Sequence, residues 1–338
     1  MTLTPCPHTP IAVFGEALVD LFASGPVAGG GPFNVARHLA ALGQDPLFLS
    51  AVGQDAQAEP LLAEMTRLGL KKDGLQILPV QPTGVVDVQT NDAGQHRFVI
   101  RGDCAYDHIG PAAVSAMNRG LAPNGWLYYG SLGLRGALSW QSWQSLIAAH
   151  QGPRYMDLNW REGHVDVNTA LMAMAQADVL KVNEDELAMV LAWTHRPNQV
   201  TPADWKVGHC DSVLAELVRE FTVSHLIVTC GAEGYAAFDS QGLCNAREGA
   251  ARIIKLVDTV GAGDSFSAVV LTGLLQAWPW PLTLARANTL AARVCEVRGA
   301  MPPDLQEYRQ WVQGWGLQLP VAPDQSGRSI QTRKPTPL

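Results

Sequence analysis

Short apolar runs alternate along the chain with stretches whose apolar residues recur at helical spacing. The runs 11–15, 47–52, 126–129, 155–158, 179–182 and 226–229 predict strands. Val35, Leu39 and Leu42 share one helical face, so residues 34–42 predict a helix stopped by Gly43. Residues 60–68 predict another helix. This β-α-β rhythm implies an α/β fold with a mostly parallel sheet covered on both faces.

One stretch departs from that rhythm. Val86, Val88, Phe98 and Ile100 alternate with polar residues over 84–89 and 95–100, around the turn formers Asn91-Asp92-Ala93-Gly94. Such a pattern predicts a half-exposed antiparallel hairpin, either a flap over a site or a decoration. Residues 195–211 read as a polar insertion, and 318–338, rich in proline and poor in apolar residues, as a disordered tail.

Composition removes several functions. The chain has 338 residues, 47% of them hydrophobic, enough for one large α/β domain or two smaller ones. Its net charge of -7 is not gathered into blocks, which argues against a nucleic-acid partner. None of the six cysteines forms a C-x-x-C pair, and no H-E-x-x-H motif occurs. Scattered cysteines, no apolar signal-like N-terminus and no run of ~20 apolar residues predict a cytoplasmic protein without a membrane partner.

The stretch richest in chemistry is Asp258-Thr259-Val260-Gly261-Ala262-Gly263-Asp264, just before an apolar helix. Small residues let a ligand approach the backbone, and free N–H groups at a helix start form an anion site. A carboxylate beside such a site can accept a proton from a hydroxyl that attacks phosphorus, while the Gly261, Ala262 and Gly263 amides hold the transferred charge. Asp264 serves equally well as a helix cap, so both readings stay open at this level. A second glycine run, Gly29-Gly30-Gly31-Pro32-Phe33-Asn34, also precedes a helix. It reads as a polyol site, with Asn34 offering donor and acceptor, or as a plain linker. It lacks the third glycine of a dinucleotide fingerprint, and no G-x-x-x-x-G-K-[ST] motif is present.

Together the two loops resemble those of the ribokinase-like, or phosphofructokinase-B, sugar kinases, in the order and spacing of that family, over about residues 11–315. The resemblance implies a three-layer α/β/α sandwich with a small β lid, in a single domain over 11–317 with lid elements near 18–30 and 84–108. It implies an ATP-dependent kinase acting on a primary hydroxyl of a small sugar, with Asp264 as base. Asp20, Gly30, Gly31 and Asn34 would meet the sugar. Asn183, Thr229, Gly231, Gly234 and Asn288 would lie along the nucleotide, and Glu186, in an N-x-x-E pattern, would help place Mg²⁺. A monovalent cation, K⁺, would take Asp258 and the carbonyls of Val260, Val294, Val297 and Gly299, since oxygen ligands suit hard cations.

The acceptor is narrowed by Asp157-Leu158-Asn159-Trp160-Arg161, which is similar to the D-x-N-x-R segment of fructokinase-like members. Fructose is therefore the expected substrate. Arg101, Asp103 and Arg161 are further sugar contacts, and a basic group there keeps 2-keto-3-deoxygluconate open beside ribose. Arg101 reads equally as half of a surface ion pair. A non-catalytic sugar or nucleotide sensor on the same fold is the reading from another class. Only eight residues separate Asp20 from Gly29, which predicts a reduced lid and puts a lid-mediated homodimer in doubt.

Overall fold

The structure, a computed structural model, describes residues 9–23, 25–90, 96–196 and 211–317. In chain order the strands and α-helices begin with β1 (Thr9–Phe14), β2 (Leu18–Phe22), β3 (Gly25–Gly29), α1 (Gly31–Ala41), β4 (Pro46–Gly53), α2 (Ala58–Leu68) and β5 (Leu75–Leu78). They continue with β6 (Gly84–Thr90), β7 (His96–Ile100), α3 (Ala112–Gly120), β8 (Leu121–Gly130), α4 (Ala137–Ala149), β9 (Arg154–Asp157) and α5 (Val167–Met174). The remainder are β10 (Val179–Asn183), α6 (Glu184–Trp193), α7 (Asp211–Phe221), β11 (His225–Thr229), β12 (Tyr235–Asp239), β13 (Cys244–Glu248), α8 (Ala262–Leu275), α9 (Trp280–Val294) and α10 (Leu305–Gly314).

Nine strands form one sheet in the order β13-β12-β11-β10-β9-β8-β1-β4-β5. All neighbours from β11 to β5 are parallel, and β12 and β13 join antiparallel at one edge. Strand alternation divides the core into two layers. Ala12, Phe14, Leu127, Tyr129, Met156, Leu180 and Val182 pack on the face covered by α3 to α7. Ile11, Val13, Tyr128, Tyr155 and Val179 pack on the other face, with Phe33 of α1, Phe266 of α8, Leu284 of α9 and Tyr308 of α10. The result is the expected three-layer sandwich. From β1 the chain proceeds outward to β4 and β5 on one side and later fills β8 to β11 on the other. The β1/β8 boundary is therefore the topological switch point, where ligands of open α/β sheets bind beyond the strands' carboxyl ends.

A second sheet of four strands, β3-β2-β6-β7, stands apart. The expected hairpin is β6 and β7, with Val88 opposite Phe98; its turn, 91–94, lies outside the described residues. The short connection after Asp20 is not a bare loop. It folds as β3, pairing antiparallel with β2 from Leu18–Gly29 to Phe22–Gly25, while β2 pairs parallel with β6. Eight residues suffice because a tight hairpin needs only a few turn residues. The helix expected at residue 34 begins three residues earlier, at Gly31, because Pro32 is preset for a first helical turn and Gly30, at φ 107°, makes the break. Most of the polar insertion (197–210) and the whole tail lie outside the described residues. Among the described residues, no helix is long and apolar enough to cross a membrane.

Candidate active site

Strand alternation sends Asp157 and Lys181 to the face where α8 lies. Lys181 Nζ donates to Asp157 Oδ2 at 2.8 Å, and Ser267 Oγ of α8 donates to the same oxygen at 2.8 Å. Both charged side chains are buried. Burial opposes the Lys181 charge, but Asp157, Glu186 and Asp264 outweigh it and hold its pKa above the ordinary lysine value. The ammonium sits close under the start of α8: a Cβ added at Gly263 would meet Nζ at 3.3 Å.

Gly261, at φ 79°, caps α8, and a side chain there would run into Ala300. Asp264 follows in the first turn of α8. The residue is half-buried. Crowding still pushes its pKa up to about 6, chiefly by burial and by Asp157, against the hydrogen bond from Asn34 and the charges of Lys181 and Arg161. Asn34 Nδ2 donates to Asp264 Oδ2 at 2.8 Å across 230 residues of sequence. The expected base and the expected sugar loop are thus in direct contact.

Gly30 and Gly31 are pinned by a residue that sequence reasoning did not single out. Glu16, after β1, is buried, and its Oε1 accepts from Gly31 N at 3.1 Å while Oε2 has no hydrogen-bond partner. Burial, reinforced by Asp264, pushes its pKa up to about 7, against Arg161 and its backbone hydrogen bonds. A Cβ on Gly31 would strike Asn159 Nδ2 at 2.4 Å and lie 3.4 Å from Asp264 Oδ1 and 3.5 Å from Glu16 Oε1, so three polar side chains converge there. A Cβ on Gly29 would lie 2.5 Å from Asp20 Oδ2. Burial pushes Asp20 up to about 6, against Arg161 and with Asp258. The pull of Arg161 on Glu16, Asp20 and Asp264 alike places this one cation among three carboxylates.

Other expected residues sit differently. Asn34 is buried, with Oδ1 filled by Arg37 and Nδ2 turned to Asp264, so its oxygen is not open to a polyol. Glu186 is no solvated helix residue. Its Oε1 accepts from Trp160 N at 2.7 Å and its Oε2 from Asn183 N at 2.8 Å, while Asn183 Oδ1 accepts from Glu186 N at 2.8 Å. That reciprocal cap gives each carboxylate oxygen a backbone amide and fixes Glu186 at the start of α6. Arg101 forms a two-pronged ion pair with Asp87 of β6, at 2.8 and 2.7 Å, on the exposed lid surface. Asp103 pairs with His108 at 2.6 Å and is almost fully exposed.

Of the expected nucleotide residues, Gly234 and Asn288 meet at Gly249. Asn183 and Thr229 end adjacent parallel strands and lie side by side in register. Gly231 and Gly234 have φ of 47° and 95°; a Cβ on Gly234 would collide with Glu248 O and with Gly249. Asn288 Nδ2 donates to Gly249 O at 2.8 Å. The expected cation residues also meet. Asp258 accepts from Val260 N at 3.0 Å and Gly299 N at 3.2 Å, and Cys295 O accepts from Val257 N and Asp258 N. The loop at 258–260 is thereby tied to the turn at 294–299, and its oxygen donors fit a hard cation. Among the described residues no three His, Cys, Asp or Glu side chains cluster as a metal site.

Sequence reasoning passed over Glu16, Lys181 and Arg37. A signal existed: each is a charged residue inside an otherwise apolar buried segment, where Lys, Glu and Arg occur only when paired or functional.

Known proteins share the sequence and fold over most of the chain. A fructokinase of Escherichia coli is 28% identical over 285 residues, covering 78% of this chain and 83% of its own. The crystal structure of a fructokinase from Vibrio cholerae, with fructose, ADP and calcium bound, superposes with a TM-score of 0.72 at 22% identity, covering 91% of this chain and all of that one. A putative ribokinase II of Escherichia coli, in complex with ATP and Mg²⁺, superposes with a TM-score of 0.71 at 19% identity, over 90% and 99% of the two chains. The fold is therefore ribokinase-like. Residues 16–307 match the pfkB family carbohydrate kinases. The chain belongs to that family and is a phosphotransferase acting on a carbohydrate.

Proposed function

We propose that this kinase transfers the γ-phosphoryl group of ATP to a primary hydroxyl of a neutral sugar, fructose before ribose, with Asp264 as general base. The observation that carries the reading is the contact of Asp264 with the glycine-loop helix through Asn34, at the start of α8. The sugar lies between Asp20, Gly30, Gly31 and Arg161. Asp264 takes the proton of the attacking hydroxyl, and a base with a pKa near 6 is ionised at neutral pH yet still basic enough to work. The amides of Gly261, Ala262 and Gly263 receive the charge of the transferring group, with the Lys181 ammonium beneath them. Residues Asn183, Thr229, Gly231, Gly234 and Asn288 lie along the nucleotide. Mg²⁺, when bound, neutralises the ATP phosphates, and K⁺ would be held by Asp258 and the carbonyls of Val260, Val294, Val297 and Gly299.

Charge supports a neutral acceptor. Glu16, Asp20 and Asp264 face Arg161, while the Lys181 ammonium is taken up by Asp157, and an added carboxylate such as that of 2-keto-3-deoxygluconate would meet net repulsion. The fructokinases of the comparison point the same way. The kinase domain is 11–317, with the two-hairpin sheet as its lid, and the chain works in the cytoplasm.

The test is ATP consumption by the purified protein with Mg²⁺ and K⁺ against fructose, ribose, glucose, 2-keto-3-deoxygluconate and adenosine. Fructose is expected to give the highest kcat/KM. A preference for 2-keto-3-deoxygluconate would overturn the charge argument. Sugar binding by calorimetry without any turnover would make the protein a sensor.

A further inference from the structure

Behind the contact between Asn34 and Asp264 stands a buried guanidinium that the reaction scheme does not use. Arg37, one turn after Asn34 on α1, donates from Nη1 to Asn34 Oδ1 at 3.1 Å and to Ala28 O at 3.3 Å. Its Nη2 donates to Glu64 Oε2 of α2 at 2.8 Å, and Glu64 is held in turn by Arg67 at 2.8 Å. The guanidinium carbon lies 5.7 Å from the centre of the Phe33 ring. Four groups thus form a line from the outer helix to the reacting carboxylate: Glu64, Arg37, Asn34, Asp264.

We propose that Arg37 is a positioning residue for phosphoryl transfer: it locks the Asn34 amide so that Nδ2, and not Oδ1, faces the Asp264 carboxylate. This rests on the reading of Asp264 as the base. Donor and acceptor chemistry fixes which way the amide faces. A guanidinium can only donate, so the amide atom it meets must be the oxygen, and the NH₂ is left for Asp264. Without Arg37 only the ionised carboxylate holds the amide, and the two faces of an amide differ little in shape. The turned-over amide is then open to the protonated form of Asp264, whose O–H can donate to the amide oxygen, so that form gains a partner that Arg37 denies it. The base would hold its proton more tightly and fail at a higher pH.

The cost of Arg37 supports a functional role. Its Nε is buried with no hydrogen-bond partner, and Glu64 keeps Arg67 as a cation without it, so the pair is not needed to neutralise Glu64. An aliphatic side chain at this turn of α1 would serve packing alone at lower cost. The surrounding charges do not supply the same control. Asp264 is faced by Asp157, Lys181, Arg161, Glu16 and Tyr128, and Arg37 by Glu64, Arg67, Tyr308 and His38. His38, buried beside Arg37 with its pKa pushed down to about 3, stays neutral. Its Nε2 meets the carbonyl of Ala300 at 2.8 Å and so must carry the proton, leaving Nδ1 to accept from Tyr308 Oη at 2.6 Å.

The experiment is a double-mutant cycle read on Asp264 itself. The carboxyl carbon of Asp264, identified by its loss in Asp264→Asn, is titrated by NMR in the wild type, Arg37→Met, Asn34→Ala and the double variant. Arg37→Met is expected to raise the Asp264 midpoint by about one pH unit, and to leave it unchanged once Asn34 is already alanine. The acid limb of kcat/KM moves with it, an approximately tenfold loss below the limb that recovers at high pH. An equal rise in both backgrounds would mean that Arg37 acts through its field and not through the amide, and would overturn the proposal. So would an unmoved midpoint. Should Arg37→Met not fold, Arg37→Lys in the same two backgrounds is judged by the same criterion, with a smaller shift expected. The titration needs no sugar. Wild-type protein inert towards every acceptor defeats the kinase reading, whereas normal turnover with an unmoved Asp264 defeats the relay alone.

Discussion

Around Asp264, side chains from distant parts of the chain are tied to one another: Asn34 from α1, Asp157 and Lys181 from β9 and β10, and Ser267 from α8. Around Gly231 and Gly234 the contacts are mostly backbone: Cys230 N to Gly234 O at 2.8 Å, and the carbonyl of Gly249 for Asn288. The loop beside them leaves Ile254 and Leu256 85% and 63% exposed. The acceptor side holds titratable groups in fixed relation, as proton transfer demands. On the nucleotide side turns leave a surface on which a ligand can lie. Damage to the first should therefore appear in turnover and stability, and damage to the second in nucleotide affinity.

The hardest blow to that contrast falls on Asp264. Asp264→Asn is expected to lower kcat by about two to four orders of magnitude while sugar and ATP still bind, the usual range for loss of a general base. In the wild type, kcat/KM should fall as pH drops through about 6, where the carboxylate takes up its proton. Stability should move the other way. A carboxyl whose folded pKa lies above its unfolded value opposes folding when ionised, so its penalty is full above about pH 6 and gone near the unfolded value. Asp264→Asn should thus gain about 1–3 kcal/mol at neutral pH in denaturant titrations, and nothing near pH 4. Near-normal turnover would remove Asp264 from the base role.

Next in size is the buried pair. Lys181→Met leaves Asp157 without its cation and should cost about 3–5 kcal/mol, read as a lower denaturation midpoint. Arg101→Ala, which opens the exposed pair with Asp87, should cost less than about 1 kcal/mol. A rise in the sugar KM of Arg101→Ala would show that the lid arginine leaves Asp87 to reach the acceptor.

The fold was legible because it lives in short-range pattern. Apolar runs and helical spacing predicted β1, β4, β8 to β11 and the β6–β7 hairpin to within a few residues. The misreadings fall where tertiary contact overrides local pattern. The eight residues after Asp20 hold an edge strand, β3, whose hairpin with β2 is backed by β6, which comes some sixty positions later. The cap that holds Glu186 is also out of reach of local pattern, since one of its two amides belongs to Trp160, 26 residues earlier. The glycines and Asp264 were visible as motifs. Lys181 and Glu16 were visible only as charges out of place in apolar runs, a signal that carries weight once alternation shows which face they enter.

On the nucleotide side, two glycines separate shape from strain. Gly234→Ala would press a Cβ against Glu248 O and Gly249, at a φ that side chains rarely adopt, and should cost about 2–3 kcal/mol. Gly231→Ala meets nothing within 4 Å and carries only its left-handed φ, a cost of about 1 kcal/mol. Equal losses at both positions would show that the turn is strained throughout and that its packing on Gly249 does not matter.

Asn288→Ala should have the smallest effect and sharpen the contrast most. Its amide makes one exposed hydrogen bond, to Gly249 O, so stability should change by no more than about 1 kcal/mol. Gly249 is also the residue on which Gly234 packs, and loosening it should blur the surface beneath the nucleotide. The expected outcome is a KM for ATP raised about two- to fivefold, with kcat and the acid limb near pH 6 unchanged, because no link of the Asn34–Asp264 network passes through α9. A fall in kcat without a change in KM would mean that α9 communicates with α8 across their shared packing. The two sides of the site would then be one mechanical unit, and the division drawn from their contacts would fail.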